Sequence, residues 1–228
     1  MSIYTKFVKP ALDTAVAACA CIALVPVTAA VAVLIKKEDG GSVFYKAKRL
    51  GKDGKVFDMY KFRSMKENAP DIRNADGTTF SSADDPRLTK IGKKLRETSI
   101  DELPQFFNVL KGQMSILGPR PDPPEWFEIN AGETQRKYSV KPGISGYTQA
   151  YYRNSLELDE RNKCDVYYAD NISFKLDVKV FFKTVQTILS HSDVYRNEAG
   201  TDVSGMMSAE EFIAEALPAE EGKEEIKA

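Results

Sequence analysis

Two adjacent carboxylates, Asp101 and Glu102, are the residues of this 228-residue sequence that point most directly to chemistry. They stand just before Pro104 and an apolar stretch, where a helix is expected to begin. A capping role is one interpretation, because aspartate often caps a helix and proline is tolerated in its first turn. A helix N-terminus also holds a carboxylate ionised and attracts phosphate, and an ionised aspartate can attack phosphorus. The same pair could hold Mg²⁺ for phosphate chemistry, so capping and catalysis both stay open on position alone.

Basic residues on both sides of this pair suit an anionic ligand. Arg120 lies between two prolines in Gly118-Pro119-Arg120-Pro121, a rigid loop that would present its guanidinium as a bidentate phosphate clamp. The other candidates for the same anionic site are Arg49, Lys61, Arg63, Arg87 and Arg96. Each of these alone is typical of a solvated charge, so the prediction depends on their convergence in the fold.

The stretch from residue 11 to residue 35 is apolar, and Asp13 is its only charge. It is long enough to cross a bilayer, which takes about 20 residues. A signal peptide and a straight transmembrane helix are two interpretations, but Pro26 near the middle disfavours an unbroken helix. Lysines both precede and follow the stretch, as expected if both ends stay on the cytoplasmic side. We therefore predict a re-entrant membrane hairpin over residues 1–37, broken near Pro26.

The charge is divided unevenly along the chain, although 32 basic and 33 acidic residues nearly cancel. Residues 208–228 contain seven Glu and two Lys, which leaves residues 1–207 with a net charge of +4. A basic body favours anionic ligands or an anionic membrane surface. The single His191 argues against histidine-rich metal sites and Ser-His-Asp relays. The three cysteines, two of them in the apolar stretch, argue against a disulfide framework.

The remaining pattern predicts an α+β catalytic domain over residues 38–192, with a small β-hairpin or sheet and several short helices. Aromatic and β-branched residues around Lys52-Asp53-Gly54 predict a hairpin over residues 43–65. Short helices are predicted at residues 88–95 and 103–110, and loops at residues 66–86, 118–124 and 142–146.

A last amphipathic helix is predicted at residues 176–189. Its apolar side could lie in the core or in the membrane interface, and the sequence leaves these two placements about even. Residues 193–228 are predicted to form an acidic extension, partly helical and then disordered.

The order of these motifs resembles the bacterial sugar transferases that act as monotopic phosphoglycosyl transferases, in their compact form. The resemblance covers residues 4–190, and the run from Leu95 to Pro121 is its most specific part. The matching pieces are the apolar segment broken at Pro26, Arg49-Leu50-Gly51, Lys61-Phe62-Arg63-Ser64-Met65, Asp85-Pro86-Arg87, Leu95-Arg96, Ser99-Ile100-Asp101-Glu102-Leu103-Pro104-Gln105, Gly118-Pro119-Arg120-Pro121 and Pro142-Gly143-Ile144-Ser145-Gly146. Val25 departs from the serine that often precedes the helix-breaking proline, and Ser145 from a common threonine.

This resemblance implies a UDP-sugar donor, a polyprenyl phosphate acceptor and Mg²⁺ as cofactor. Asp101 would attack the phosphate next to the sugar, release UMP and pass the phosphosugar to polyprenyl phosphate. Glu102 would bind Mg²⁺ beside Asp101 or handle a proton, and Arg120 would hold a phosphate. The other substrate-site candidates that the resemblance adds are Pro121, Gly143, Asp165 and Tyr168.

The resemblance also implies a monotopic protein of the bacterial inner membrane, with its catalytic domain on the cytoplasmic face. Membrane lipids are then partners, no nucleic acid is expected, and a homo-oligomer is left open. The rival interpretation is a membrane-attached scaffold that uses its basic body to bind anionic lipids. Such a scaffold would bind liposomes and release no UMP from any UDP-sugar.

Overall fold

One long N-terminal helix lies against a mixed assembly of short helices and two small sheets. The structure, a computed structural model, describes residues 2–74, 80, 82, 84–152 and 156–189. The helices are α1 (Lys9–Asp39), α2 (Lys90–Glu97), α3 (Gln105–Leu110), α4 (Trp126–Ile129), α5 (Tyr147–Tyr151), α6 (Leu158–Asp170) and α7 (Phe174–Leu189). The strands are β1 (Phe44–Leu50), β2 (Val56–Phe62), β3 (Ser115–Leu117) and β4 (Gly143–Ser145). The predicted α and β character is confirmed, and the predicted acidic extension lies outside the described residues.

The helix α1 continues through Pro26, and the predicted division into two arms at Val25-Pro26 is not observed. Proline removes one hydrogen bond from the ladder, and the alanine-rich turns on both sides favour helix strongly enough to continue it. With the π-helical turn Tyr4–Val8, α1 forms a stretch of 36 residues that is long and apolar enough to cross a membrane. The re-entrant placement of this helix stays a prediction.

Both halves of α1 contact the rest of the protein. Ala17 packs into a cluster that includes Met59 and Val109, and Val31 and Ile35 pack with Phe62 and Leu95. Between these contacts the helix is open, with Ile22 75% exposed and Val25 65% exposed. The helix therefore lies along the domain, and its middle turns present apolar side chains outward.

The predicted hairpin is confirmed as β1 and β2, which pair antiparallel with Phe44 opposite Phe62 and Leu50 opposite Val56. A 3₁₀ turn, Lys52–Gly54, joins the strands. Asp53 and Gly54 have φ values of 57° and 72°, which the tight turn requires. Aspartate and glycine tolerate this left-handed region, which is why Lys52-Asp53-Gly54 could be recognised in the sequence as a turn.

A second sheet was not predicted. The strands β3 and β4 pair in parallel, with Ser115 opposite Gly143 and Leu117 opposite Ser145. The interpretation of 142–146 as a loop is therefore wrong for Gly143–Ser145. Strands of three residues are too short to show an alternating pattern, and Pro142 and Gly143 gave the opposite signal.

The helix α7 points its large apolar side chains outward, the reverse of an ordinary surface helix. Its inward side carries Asp177, Val180, Thr184 and Thr187, and the two threonines bond to Ser145 and to the Ala150 carbonyl. Its large apolar side chains point outward: Phe174, Val178, Phe181, Phe182, Val185 and Ile188. The core placement of this apolar side, one of the two alternatives open from sequence, is therefore not observed.

Candidate active site

Asp101 and Glu102 are presented by a short 3₁₀ turn, Ile100–Glu102, between α2 and α3. Thr89 caps α2 by accepting a hydrogen bond from the Gly92 backbone N–H, and Ser99 then turns the chain with a left-handed φ of 56°. Pro104 occupies the N-cap of α3, and no side chain caps that helix. The capping interpretation of Asp101 is therefore not observed, and its carboxylate is available for another role.

Glycine at position 92 allows α2 to approach the site closely. A side chain there would collide with the backbone carbonyl of Ser64, which follows β2. The same packing places Arg96, one turn along α2, with its Nε 3.0 Å from Ser64 Oγ. Leu88, which was predicted inside this helix, precedes it and bridges to Met65 instead.

The Asp101-Glu102 pair lies beside the end of the hairpin strand β2. Lys61 Nζ donates to Glu102 Oε1 at 2.7 Å, and both side chains are only about a quarter exposed or less. Asp101 is buried, with 6% of its surface exposed. The pair is thus a partly dehydrated carboxylate dyad anchored at one end by a lysine.

The two carboxylates have opposite pKa shifts. Burial raises the pKa of Asp101, and the charge of Glu102 adds to this effect, while Lys61 and Arg96 oppose it. Burial also disfavours ionised Glu102, but Lys61 and Arg120 outweigh it and lower the Glu102 pKa. The negative charge of the dyad is therefore held more firmly on Glu102, and Asp101 is the more basic of the two.

Arg120 faces this dyad from the loop that follows β3. Its guanidinium is exposed and makes no hydrogen bond or salt bridge within the described residues. Arg49, at the end of β1, lies near it: burial, followed by the charge of Arg120, lowers the Arg49 pKa. Two guanidinium groups that repel one another are stabilised by an anion between them, so the geometry suits a phosphate ligand.

The loop that carries Arg120 is fixed by the small parallel sheet. The Gly118 N–H donates to the Ser145 carbonyl at 2.9 Å, and the Gly143 N–H donates to the Pro119 carbonyl at 2.9 Å. A side chain at Gly118 or Gly143 would collide with the opposite backbone. Gly143 therefore acts on the site through the loop, and the half-buried Pro121 stiffens the same loop.

A buried polar cluster secures the far side of this loop. Lys137, which is 1% exposed, donates to Asn162 Oδ1 at 2.6 Å and pairs with Asp122 Oδ2 at 2.5 Å. The Tyr138 hydroxyl donates to Asp122 at 3.0 Å, and the Leu50 N–H donates to the Asp122 carbonyl at 2.8 Å. Sequence reasoning missed Asp122 and Lys137, because only their burial reveals that the two charges meet.

Two predicted phosphate ligands are occupied by internal partners. Arg63 makes a bidentate pair with Asp39 at the end of α1 and donates to the Ser42 and Met65 carbonyls. Arg87 makes a bidentate pair with Asp85, with both side chains at most 4% exposed, and donates to the Pro70 and Phe80 carbonyls. The structure assigns both arginines to holding loops.

The two candidates from α6 are also buried. Tyr168 is fully buried, and its hydroxyl lies 2.6 Å from Asp177 Oδ1 and 3.1 Å from the Leu117 carbonyl oxygen. Asp165 accepts a hydrogen bond from Thr148 at 2.6 Å, and burial raises its pKa to about 6. The partners of both side chains lie outside the dyad. The predicted site residues that the structure brings together are Asp101, Glu102, Lys61, Arg96, Arg120 and, beside Arg120, Arg49.

A dehydrated carboxylate dyad, convergent cations and a long apolar helix are the features of a protein that handles phosphates at a membrane. Residues 4–191 match the model of the bacterial sugar transferase family, and the chain belongs to this family.

Three relatives illustrate the similarity. The chain is 42% identical over 161 residues to the galactosyl transferase CpsE of Streptococcus agalactiae, covering 67% of this chain and 36% of the relative. It is 40% identical over 190 residues to the UDP-N-acetylgalactosamine-undecaprenyl-phosphate N-acetylgalactosaminephosphotransferase of Aeromonas hydrophila, covering 81% of this chain and 44% of the relative. It is 36% identical over 191 residues to the exopolysaccharide production protein ExoY of Sinorhizobium fredii, covering 79% and 84%. The chain thus spans less than half the length of the first two relatives.

Proposed function

We propose that this chain transfers a sugar 1-phosphate from a UDP-sugar to polyprenyl phosphate, with Asp101 as the nucleophile. The observation that carries the proposal is the buried Asp101 carboxylate beside Glu102, in the field of three cations, Lys61, Arg96 and Arg120. The name of the Aeromonas relative, an undecaprenyl-phosphate phosphotransferase, supports the same reaction class.

The first step forms a covalent phosphosugar-aspartate. A carboxylate oxygen of Asp101 attacks the phosphorus next to the sugar, and the bond from that phosphorus to the bridging oxygen of UMP breaks. UMP leaves with the bonding electron pair. The sugar stays on its phosphate because no bond at its anomeric carbon changes.

The second step regenerates the carboxylate. A phosphate oxygen of polyprenyl phosphate attacks the same phosphorus, and the bond to Asp101 breaks. The product is a polyprenyl diphosphate sugar, and the electron pair returns to the Asp101 carboxylate.

The electrostatics of the site suit both steps. Partial dehydration makes Asp101 more basic than an exposed aspartate, and the nearby cations keep its ionised form accessible. Lys61 holds Glu102 in place, so the dyad is oriented before the donor binds. The Arg120 guanidinium, which has no hydrogen-bond or salt-bridge partner among the described residues, would neutralise the charge that develops on the leaving UMP phosphate.

Asp101 and Glu102 would hold Mg²⁺. This ion is usually bound by one or two carboxylates and completes its shell with substrate phosphates and water, so a two-carboxylate site fits it. Among the described residues no group of three or more His, Cys, Asp or Glu side chains is placed to hold a metal ion. When bound, Mg²⁺ would neutralise negative charge on the donor diphosphate.

We further propose a monotopic placement on the cytoplasmic face of the inner membrane. The outward apolar face of α7 and the exposed middle of α1 would lie in lipid, because an outward apolar face is stable only where the surroundings are apolar. Tyr4 bonds to Asp177 and packs edge-on against Phe174, so the two helices meet at this surface. A soluble UDP-sugar and a lipid phosphate would then meet at Asp101.

The reaction is tested by the Asp101→Asn variant in a UMP-release assay over a panel of UDP-sugars, with polyprenyl phosphate present. We expect release to fall by at least about 10³-fold, because an amide cannot form the acyl phosphate. Glu97→Gln is the matched control, since Glu97 is an exposed acid four residues away. Intact-mass measurement of the wild-type protein, incubated with donor alone, should show one phosphosugar per chain. Full activity of Asp101→Asn with no adduct would overturn the role of Asp101 as the nucleophile. A wild-type protein that releases no UMP from any donor of the panel would favour the scaffold instead.

The membrane placement is tested by a Phe181→Ser/Phe182→Ser double variant in liposome flotation. Each phenylalanine loses about 1.5–3 kcal/mol of burial in lipid, so we expect at least a tenfold fall in the bound fraction ratio. Ile129→Ser is the control, because Ile129 is as exposed as Phe182 but lies on α4. Equal flotation of the double variant and the control would contradict the placement of α7.

A further inference from the structure

Asp13 is a buried charge in the otherwise apolar helix α1. It is 9% exposed, and its carboxylate accepts hydrogen bonds from Ser115 Oγ at 2.7 Å and from the Ile116 backbone N–H at 3.0 Å. A carboxylate is costly in an apolar helix unless it is hydrogen-bonded. Both of its partners belong to β3, so the only charge of the apolar stretch is committed to one strand.

A second polar link runs from α1 to the same strand. Asp177 accepts from Lys9 Nζ at 2.7 Å and from the Tyr4 hydroxyl at 2.6 Å. Its other oxygen lies 2.6 Å from the Tyr168 hydroxyl, which is 3.1 Å from the Leu117 carbonyl oxygen. The first turns of the N-terminal helical segment are thus linked to Ser115 and Ile116 directly, and to Leu117 through two side chains, Asp177 and Tyr168.

The strand β3 leads without interruption into the loop that carries Arg120. Only Gly118 and Pro119 separate its last residue from Arg120, and both are pinned to β4 by backbone hydrogen bonds. A shift of β3 relative to α1 would therefore move the Arg120 guanidinium relative to Asp101. A misplacement of about 1 Å is enough to cost a reaction about 10²-fold.

We propose that Asp13 is a positioning residue of the transfer reaction. By holding Ser115 and Ile116, it fixes β3 to the anchor helix and so sets the place of Arg120 opposite the dyad. The apolar anchor then has a second role beside membrane attachment, because it is one wall of the frame around the phosphate site. This inference rests on the proposed sugar-phosphate transfer.

The decisive variant is Asp13→Leu, for which membrane attachment and catalysis are expected to move in opposite directions. Loss of the charge makes α1 more apolar, so liposome flotation should be equal to or stronger than that of the wild type. The value of kcat/KM for UMP release should nevertheless fall about tenfold to 100-fold. Thr14→Leu is the control, because Thr14 is exposed and its hydroxyl bonds only within α1, to the Pro10 carbonyl.

Coupling to Arg120 separates positioning from a general loss of stability. If Asp13 acts through Arg120, adding Asp13→Leu to Arg120→Ala should cause no further loss beyond about twofold, because the group it positions is already absent. Adding Ser115→Ala to Asp13→Leu should restore part of the activity, since it removes the hydroxyl left without an acceptor. Asp13→Asn, which keeps one acceptor oxygen, carries the same cycle if Asp13→Leu does not fold.

The outcomes separate this inference from the proposed function. A wild-type chain that releases no UMP would overturn the proposed function. An active wild type with an equally active Asp13→Leu variant, or a loss that multiplies fully with that of Arg120→Ala, would overturn only the role of Asp13.

Discussion

Two clusters in this molecule combine carboxylates with cations, and they differ in how completely the charges are paired. Around Asp122, Lys137 has both an ion-pair partner and an amide acceptor, and the Tyr138 hydroxyl donates to the same carboxylate. Around Asp101, one lysine is paired with Glu102, while the guanidinium of Arg120 is exposed and makes no hydrogen bond or salt bridge within the described residues. The first cluster satisfies its own charge and holds the fold together. The second has surplus positive charge and needs an anion from outside.

This difference gives a criterion for recognising ligand-binding arginines, which the presence of a charge alone does not provide. Arg63 and Arg87 were predicted from sequence to line the same anionic site as Arg120, although each alone is typical of a solvated charge. In the fold, Asp39, Asp85 and nearby backbone carbonyls accept most of the N–H donors of these two arginines. An arginine whose donors are taken up by internal partners therefore holds the fold together, whereas one without such partners among the described residues can bind an anion.

Breaking the cluster around Asp122, whose charges are paired internally, should give the largest effect on stability. Lys137→Met removes the closer of the two cations that pair with the buried Asp122 carboxylate and leaves only the longer contact to Arg161, at 3.7 Å, among the described residues. We expect the free energy of unfolding to fall by about 3 kcal/mol, as measured by chemical denaturation in detergent. Adding Asp122→Asn should recover part of this loss. Arg136→Ala breaks an exposed pair with Asp170 and should cost less than about 1 kcal/mol; a similar cost for both single variants would invalidate the comparison.

Breaking the cluster around Asp101, which has surplus positive charge, should change activity and leave stability unchanged. Arg120→Ala removes a guanidinium that has no hydrogen-bond or salt-bridge partner within the described residues, so the midpoint of thermal unfolding should stay within error of the wild type. The value of kcat/KM for UMP release should fall about 10²-fold, since one charged donor to the phosphates is lost. Arg120→Lys should restore only part of this, because lysine cannot form a bidentate pair. A large loss of stability in Arg120→Ala would place this arginine in the structural class.

Asp165 lies next to the Asp122 cluster, but its own hydrogen bonding is incomplete. Changing it should give the smallest effect of the three. Its Oδ2 has no hydrogen-bond partner among the described residues, and burial raises its pKa to about 6 from 3.8. The folded state therefore holds this proton more tightly than the unfolded state, so stability should fall as pH rises from about 4 to about 6. Asp165→Asn should remove this contribution and stabilise the protein at pH 7 by less than about 3 kcal/mol, which is the upper bound that a pKa shift of this size sets. Denaturation curves at pH 4, 5, 6 and 7 measure it, and parallel pH profiles for variant and wild type would contradict it.

Sequence patterns predicted the local parts of this molecule. The dyad, the Arg120 loop, the hairpin turn and the apolar N-terminal stretch each depend on residues close together in the chain. Their physical causes, such as the left-handed turn at Asp53 and Gly54, operate over a few residues.

Long-range pairings were not predictable in the same way. The parallel contact of β3 with β4 joins segments 28 residues apart with only three residues in each strand, so neither strand carries a periodic signal. Ser115, the hydrogen-bond partner of Asp13, lies 102 residues away. The sequence could indicate only that a single charge in an apolar stretch needs a polar partner. The outward face of α7 was open from sequence because amphipathicity gives the contrast between two faces and not which one points inward.

The lengthwise packing of α1 has a practical consequence for anyone who purifies this protein. Deleting residues 1–39 to obtain a water-soluble catalytic fragment would uncover Phe62 and Leu95, which Val31 and Ile35 now cover, and would leave Arg63 without Asp39. Such a fragment should aggregate during expression. Replacing Phe181 and Phe182 of α7 and Ile22 and Val25 of α1 with charged residues is the better route to solubility, since these exposed side chains belong to none of the buried clusters of the described residues.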